Sequence, residues 1–246
     1  LSQAQIAWDY NRGKPIASWD FDECQGTALN SSTGTMSATL SVGSGGGEDT
    51  VGTCTTASTA WGSGATGKFN YSVDLDGTDD AIYALSPGLP TNDFTASAWV
   101  NLGTATDETI LMASRTGGDE LRVHVNSSGQ IELYTAGVLR ATSAQTISTG
   151  SWTNITVASS SGTQKIFING RQDANTGSGT TQMNFAGCSL WIGTDVDSGC
   201  GGSLGNYMDG QIDEVQIFNY GLTDVQIRNL YNQSAAVRFG PATGAP

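Results

Sequence analysis

From residue 69 onward the chain is a succession of short segments in which apolar and polar side chains alternate. FNYSVDLDG (69–77), AIYAL (81–85), FTASAWVNL (94–102), ETILMAS (108–114), ELRVHVN (120–126), QIELYTA (130–136), WTNITVASS (152–160), QKIFING (164–170), SLWIGTD (189–195) and GQIDEVQIFN (210–219) follow this rule and end on Gly, Asn, Asp or Ser. A period of two sends successive side chains to opposite faces, so each segment predicts a strand with one face in a core. Ile16, Trp19 and Phe21 form a similar stretch closed by an acidic turn at 22–24. Strands this close together, with hairpin-like joins at HVNSSGQIEL and SSGTQKIFING, predict an antiparallel sandwich or barrel and not an α/β fold. Residues 26–67, rich in Gly, Ser and Thr with GSGGGED at 43–49, predict a long loop region.

Helical spacing is confined to the two ends. LSQAQIAWDYN (1–11) and LTDVQIRNLYN (222–232) share Leu, Gln, Ile, Tyr and Asn at the same offsets, and Ser2 and Thr223 are matching N-cap residues. The duplication predicts that 1–13 is the last helix of a preceding, similar domain. On that reading 14–233 is the domain proper, 234–246 a tail, and the chain one unit of a tandem array.

Composition sharpens this picture. Thirty-three glycines and only 13% charged residues suit many short strands and turns. The formal net charge of −13 repels phosphate backbones, so nucleic acid is excluded as an expected partner, while divalent cations are favoured. No apolar run of 18 residues is present, so no membrane span is predicted. Leu1 opens on neither the basic nor the apolar region of a leader, so an exported chain is expected to have lost its leader or to carry it upstream. The four cysteines, Cys24, Cys54, Cys188 and Cys200, contain no C-x-x-C pair and read as two disulfides, hence an oxidising, extracellular compartment. Three pairings are open, and closure between sequence neighbours favours Cys24–Cys54 and Cys188–Cys200. Asn30, Asn70, Asn126, Asn154 and Asn232 head glycosylation triplets, of which Asn154 lies in a predicted strand.

Several segments together resemble the laminin-G-like, concanavalin A-like jelly-roll family. SVDLDGTDDAIYA followed by FTASAWVNL is similar to its aspartate-glycine strand and Trp-bearing strand. GSWTNITVASSSGTQKIFINGRQD is similar to its Trp-led hairpin, MDGQIDEVQIFNYGLTDVQIRNLY to its closing strand and final helix, and ASWDFDECQGTALNSS to its opening strand. The resemblance covers roughly 15–232 and implies an all-β fold: an antiparallel jelly-roll β-sandwich of two sheets with short N- and C-terminal helices. It also implies a structural Ca²⁺ site tying the first strand, a turn and the last strand, at Asp22, Asp76, Gly77 and Asp213. The acidic metal loop of pentraxins is not evident.

Catalytic chemistry finds little support in the residues. Glucan-cleaving members of the superfamily use two glutamates flanking an aspartate on one strand, and no such strand occurs. The only histidine, His124, sits inside a strand pattern without a nucleophile-elbow motif nearby. The chain is therefore expected not to be an enzyme. For ligand contact, Trp61 in its polar loop is the tryptophan expected to be exposed, while Trp19, Trp99, Trp152 and Trp191 are expected to pack in the core. Asp195 and Asp197 lie with Asp209 in and beside a glycine-rich loop that is a second ligand candidate. The function expected is a non-catalytic recognition or adhesion module that binds glycan or another surface component. The alternative is a structural repeat of an extracellular filament or surface layer, whose partners are neighbouring copies, and the remote alternative is a glycoside hydrolase.

Overall fold

The computed structural model describes residues 6, 13–33, 36–85, 93–115, 118–179, 188–197, 200 and 202–235. The first strands are β1 (Ala17–Trp19), β2 (Ala28–Leu29), β3 (Ala38–Ser41), β4 (Val73–Asp76), β5 (Ala81–Leu85) and β6 (Phe94–Leu102). Then come β7 (Glu108–Arg115), β8 (Gly118–Val125), β9 (Gln130–Thr135), β10 (Val138–Thr146), β11 (Thr153–Ser160) and β12 (Thr163–Ile168). The last are β13 (Arg171–Ser178), β14 (Ser189–Ile192), β15 (Asp195–Val196), β16 (Leu204–Gly205) and β17 (Asp209–Phe218). Among the described residues two helical segments are bounded, α1 (Ala60–Ser63) and α2 (Asp224–Ala235).

Two antiparallel sheets carry the fold. One runs β1-β17-β6-β11-β12-β13, with β4 beside β17, and the other runs β10-β9-β8-β7-β14-β5-β3-β2. β1 and β4 lie end to end along one edge of β17: Ala17–Trp19 pair with 215–217 and Val73–Asp76 with 209–212. The first and last strands of the domain are thereby neighbours. Trp19, Phe21, Trp61, Phe94, Leu40, Leu75 and Ile82 are fully buried in the core.

β9 shows why alternation was a sound guide: Ile131, Leu133 and Thr135 are buried while Gln130, Glu132 and Tyr134 face outward. β6 departs from it. Phe94, Ala96, Ala98, Val100 and Leu102 join the main core, yet Thr95, Ser97 and Trp99 are buried as well. The cover comes from the C-terminal segment, where Ile227 joins Ala158, Phe167, Phe218, Tyr220 and Leu222 in a second apolar cluster and Tyr231 stacks on Trp99 at 5.5 Å. α2 begins at a reciprocal cap: Thr223 Oγ1 accepts the Gln226 N–H, and Gln226 Oε1 accepts the Thr223 N–H. Of the expected N-terminal helix at 1–13, Ile6, helical and exposed, and Gly13, in a turn, lie among the described residues, and the tail beyond Ala235 lies outside them.

The cysteines pair as Cys24–Cys54 and Cys188–Cys200. No helix among the described residues is long and apolar enough to cross a membrane.

Candidate functional site

The glycine run at 43–47 closes around a group of carboxylates. Its backbone N–H groups donate to three aspartates at the end of β4 and in the turn after it: Gly43 to Asp80 Oδ1 at 3.0 Å, Ser44 and Gly45 to Asp79 Oδ2 at 3.1 and 3.0 Å, and Gly47 to Asp76 Oδ2 at 3.0 Å. Gly46 has φ +81, and a Cβ there would overlap the Asp76 carboxylate, so the turn requires glycine. Glu48, Asp76 and Asp80 thus bring carboxylate oxygens within 4.8 Å of one another. Asp80 is fully buried, and its Oδ2 has no hydrogen-bond partner among the described residues. Burial, reinforced by the charges of Glu48, Asp209, Asp80 and Asp76, pushes Asp74 up to about 7. Burial likewise pushes Asp80 up to about 7, against the lowering effect of the Gly43 N–H. Chemically this is an all-oxygen, anionic donor set of the kind that suits a hard divalent cation.

The four residues at which the resemblance places calcium do not converge. Asp76 pairs with Asp209 on β17, whereas Asp213 lies four residues further along the same strand, about 13 Å away at strand spacing. Gly77, at φ +74, packs on the Cβ of Asp209. Asp22 and Asp213 instead pin the segment ahead of β4. Phe69 N–H donates to Asp213 Oδ2 at 2.9 Å, Tyr71 N–H to Asp22 Oδ1 at 3.2 Å, and Asn70 Nδ2 to Asp22 Oδ2 at 2.9 Å. These hydrogen bonds explain why β4 starts at Val73 and not at Phe69. Only Asp76 of the four belongs to the carboxylate group that could hold an ion.

Burial pushes Asp213 up to about 8, with the charges of Glu214 and Asp22 adding to the rise. A carboxyl whose folded pKa lies above its unfolded value binds a proton on folding, so its contribution is full below about 4 and is lost as pH rises through about 8. Asp213→Asn keeps the acceptor for Phe69 and removes the charge. Urea unfolding should find it about 1–2 kcal/mol more stable than the parent at pH 9, the unpaired amide offsetting part of the gain, and less stable at pH 4. An unchanged pH dependence would show that Asp213 titrates normally.

The other expected ligand residues are occupied by the fold itself. Trp61, expected to be exposed, sits on α1 with no accessible surface, and its Nε1 donates to the Gly26 carbonyl at 2.9 Å. The polar loop folds it inward because the ring fills core volume and its one donor finds a backbone partner. Asp195 is buried, and its Oδ2 accepts from Arg122, Asn206 and Thr109 at 3.0, 2.8 and 3.3 Å. Asp197 is exposed and closes the β15–β16 hairpin through its N–H to the Ser203 carbonyl at 3.0 Å. His124 is buried between Thr109 and Asp107.

A set of residues not singled out as ligand contacts crosses the outer face of the eight-stranded sheet in one register line, and it includes Trp191, which was expected in the core and is instead half-buried on this face. Thr39 pairs with Tyr83, Tyr83 with Trp191, Trp191 with Met112, Met112 with Arg122, and Arg122 with Tyr134. Tyr83 is 39% exposed, and its ring lies 5.4 Å from that of Trp191. Arg122 stacks over Tyr134 at 4.2 Å on the far side of Met112, which the β15–β16 hairpin covers through the Val196 N–H. The signal was present in SLWIGTD: Leu190 and Ile192 take the core positions, so the alternation itself turns Trp191 outward.

A family model described as the concanavalin A-like lectin/glucanases superfamily matches residues 76–228. No curated protein sequence matches the chain. Among solved structures, domain 4 of AbnA, a GH43 extracellular arabinanase from Geobacillus stearothermophilus in complex with arabinotriose, superposes with a TM-score of 0.63 at 20% identity. The alignment covers 89% of this chain and 98% of that one. The ligand-binding domain of botulinum neurotoxin serotype D in complex with N-acetylneuraminic acid gives 0.58 at 15% identity, over 89% of this chain and 51% of that one. The Trypanosoma rangeli sialidase gives 0.57 at 14% identity, over 87% of this chain and 32% of that one. This chain therefore spans about half the toxin domain and a third of the sialidase. These neighbours correct the expectation that the chain stands apart from enzymes, since one belongs to an arabinanase and another is a sialidase. The missing Glu/Asp strand speaks only to one glucanase chemistry, and a shared sandwich does not separate enzymes from binding domains.

Proposed function

The chain belongs to the concanavalin A-like lectin/glucanase superfamily, and on that premise we propose that it is an extracellular glycan-binding domain whose contact surface is the outer face of the eight-stranded sheet. The observation that carries this reading is the outward-facing Tyr83–Trp191 pair. Aromatic rings presented from adjacent strands offer a rigid apolar platform of the size of a sugar ring, at little entropic cost. The arabinotriose bound by the arabinanase domain and the N-acetylneuraminic acid bound by the toxin domain support glycan as the ligand class. The two disulfides support an oxidising, extracellular setting. A glycan array should return one or more hits. Trp191→Ala and Tyr83→Ala should each weaken the best hit at least about tenfold without lowering the melting temperature by more than a few degrees. Full binding by both variants would remove this surface from the proposal.

The same proposal includes a structural calcium ion held by Glu48, Asp76 and Asp80. Calcium would supply the partner that the buried Asp80 Oδ2 lacks and would compensate the like charges gathered by the glycine run. Its role would be to fix the 43–49 segment against the start of the 77–80 turn.

A further inference from the structure

We propose that the pocket between the β12–β13 hairpin and α2 is an oxyanion subsite that takes the sulfate or carboxylate group of an acidic glycan. The cavity, of about 160 Å³, is lined by Phe167, Gly170, Arg171, Gln172, Asp224 and Arg228. The oxyanion chemistry stands on this pocket alone, while its attachment to a glycan rests on the function proposed above.

The pocket concentrates positive charge on an acidic chain. The chain has 10 Lys and Arg against 23 Asp and Glu, yet two of those scarce cations line this one pocket. The acid beside them is already engaged: Asp224 Oδ1 accepts from Lys165 Nζ at 2.8 Å. Neither the Arg171 nor the Arg228 guanidinium has a hydrogen-bond or ion-pair partner among the described residues. By contrast, Arg122 is held by Asp195, Arg140 by Thr135, and Lys68 lies over Trp99. Two guanidiniums with open donor forks match the planar or tetrahedral oxygens of a carboxylate or sulfate, and a bound anion relieves their mutual repulsion.

Arg171 leaves the hairpin turn at Asn169–Gly170, where both residues have positive φ. Gly170 lies against Tyr231, which a Cβ there would approach to 2.8 Å, and Tyr231 is itself stacked on Trp99. Asn169 Oδ1 accepts the Asn154 N–H at 2.9 Å, so the turn is tied to the sheet. Phe167, 1% exposed, forms the floor, and Arg228 projects from the helix whose N-terminus is closed by the Thr223–Gln226 cap. Both cations therefore spring from fixed backbone, which favours binding of a small anion by limiting what must be ordered.

The test uses isothermal titration of the whole chain with a sulfated oligosaccharide, its desulfated parent and inorganic sulfate, on the wild type and on the double variant Arg171→Gln/Arg228→Gln. Both arginines are exposed, so the double variant should keep the wild-type melting temperature and the wild-type response to neutral glycan. The expected result is at least tenfold tighter binding of the sulfated ligand than of its parent, an advantage that added salt and millimolar inorganic sulfate reduce and that the double variant loses, binding both ligands alike. Equal affinity for the sulfated and desulfated ligands would overturn the proposal, as would undiminished sulfated-ligand binding by the double variant. Arginine-dependent binding of inorganic sulfate alone would overturn its glycan half. Arginine-dependent binding of the sulfated ligand with no effect of Trp191→Ala would support the subsite while the Tyr83–Trp191 reading fails.

Discussion

At pH 8, 10 mM Ca²⁺ should raise the melting temperature of this domain by roughly 5–10 °C over the same protein in EDTA, and Asp80→Asn should remove most of that gain. The size follows from mass action: a ligand at about one hundred times its dissociation constant stabilises by about 2.7 kcal/mol, and each kcal/mol shifts a domain of this size by about 2–4 °C. The direction follows from the carboxylates. Asp74 and Asp80 are raised to about 7 from an ordinary value of 3.8, so without a cation both take up protons on folding. Their contribution is then full below about 4 and is lost as pH rises through about 7. A divalent ion binds the deprotonated carboxylates and so opposes that loss. The calcium gain should therefore be large at pH 8 and small at pH 5, where protons compete. Asp80→Asn keeps side-chain volume and the acceptor for the Gly43 N–H while removing one charge. In EDTA at pH 8 the variant should be at least as stable as the parent, although it loses the response to calcium. Identical melting curves with calcium and with EDTA across this pH range would remove the ion from the account.

Much of the sandwich could be read from the chain because its central strands carry their pattern in full. β9 and β14 bury alternate residues, β17 does so on either side of a phase shift at Ile212–Asp213, and β6 and β11 are buried on both faces. β10 and β13 could not be read in the same way. VLRATSAQT and RQDANTGS bury few of their side chains, and they meet at the edge of the sandwich through Asp173, which accepts the N–H groups of Ala144 and Gln145. Polar edge strands held by side-chain-to-backbone bonds leave no hydrophobic period to detect. The 26–67 region misled for the opposite reason. Its Gly, Ser and Thr residues conceal β2, β3 and α1, and the apolar residues Leu29, Leu40 and Trp61 are too widely spaced to register as elements although all three are buried. The cation-binding candidate was half legible. Asp76 stood out by its motif and Asp80 closes the same motif, but Glu48 joins them only because the glycine run folds back across the turn after β4, a contact made about thirty residues away in sequence. The Tyr83–Trp191 face needed register, since the line from Thr39 to Tyr134 exists only once the order β3-β5-β14-β7-β8-β9 is known.

The same region carries the second large effect. Cys24→Ser/Cys54→Ser should lower stability by about 3–4 kcal/mol, or about 10 °C in melting temperature, since the bond closes a segment of separation 30. Loop entropy alone gives the bond of separation 12, Cys188–Cys200, nearly the same value, about 3 kcal/mol, because the cost grows only with the logarithm of length. What separates the two is what each loop carries. Between Cys24 and Cys54 lie β2, β3 and Glu48, and the bond's backbone is tied by the Cys54 N–H to the Cys24 carbonyl at 3.2 Å and by the Gln25–Thr53 bridge. The indole of Trp61 reaches back into this loop to donate to Gly26. Loosening it frees Glu48 from Asp76 and Asp80, so the Cys24/Cys54 variant should lose calcium response as well as stability. Cys188→Ser/Cys200→Ser should lose stability and keep its calcium response, because none of Glu48, Asp76 and Asp80 lies between those cysteines. Scanning calorimetry of the two double variants with calcium and with EDTA separates the outcomes. An equal loss of calcium response in both would mean that the response reports global stability and not a site in the 43–49 segment.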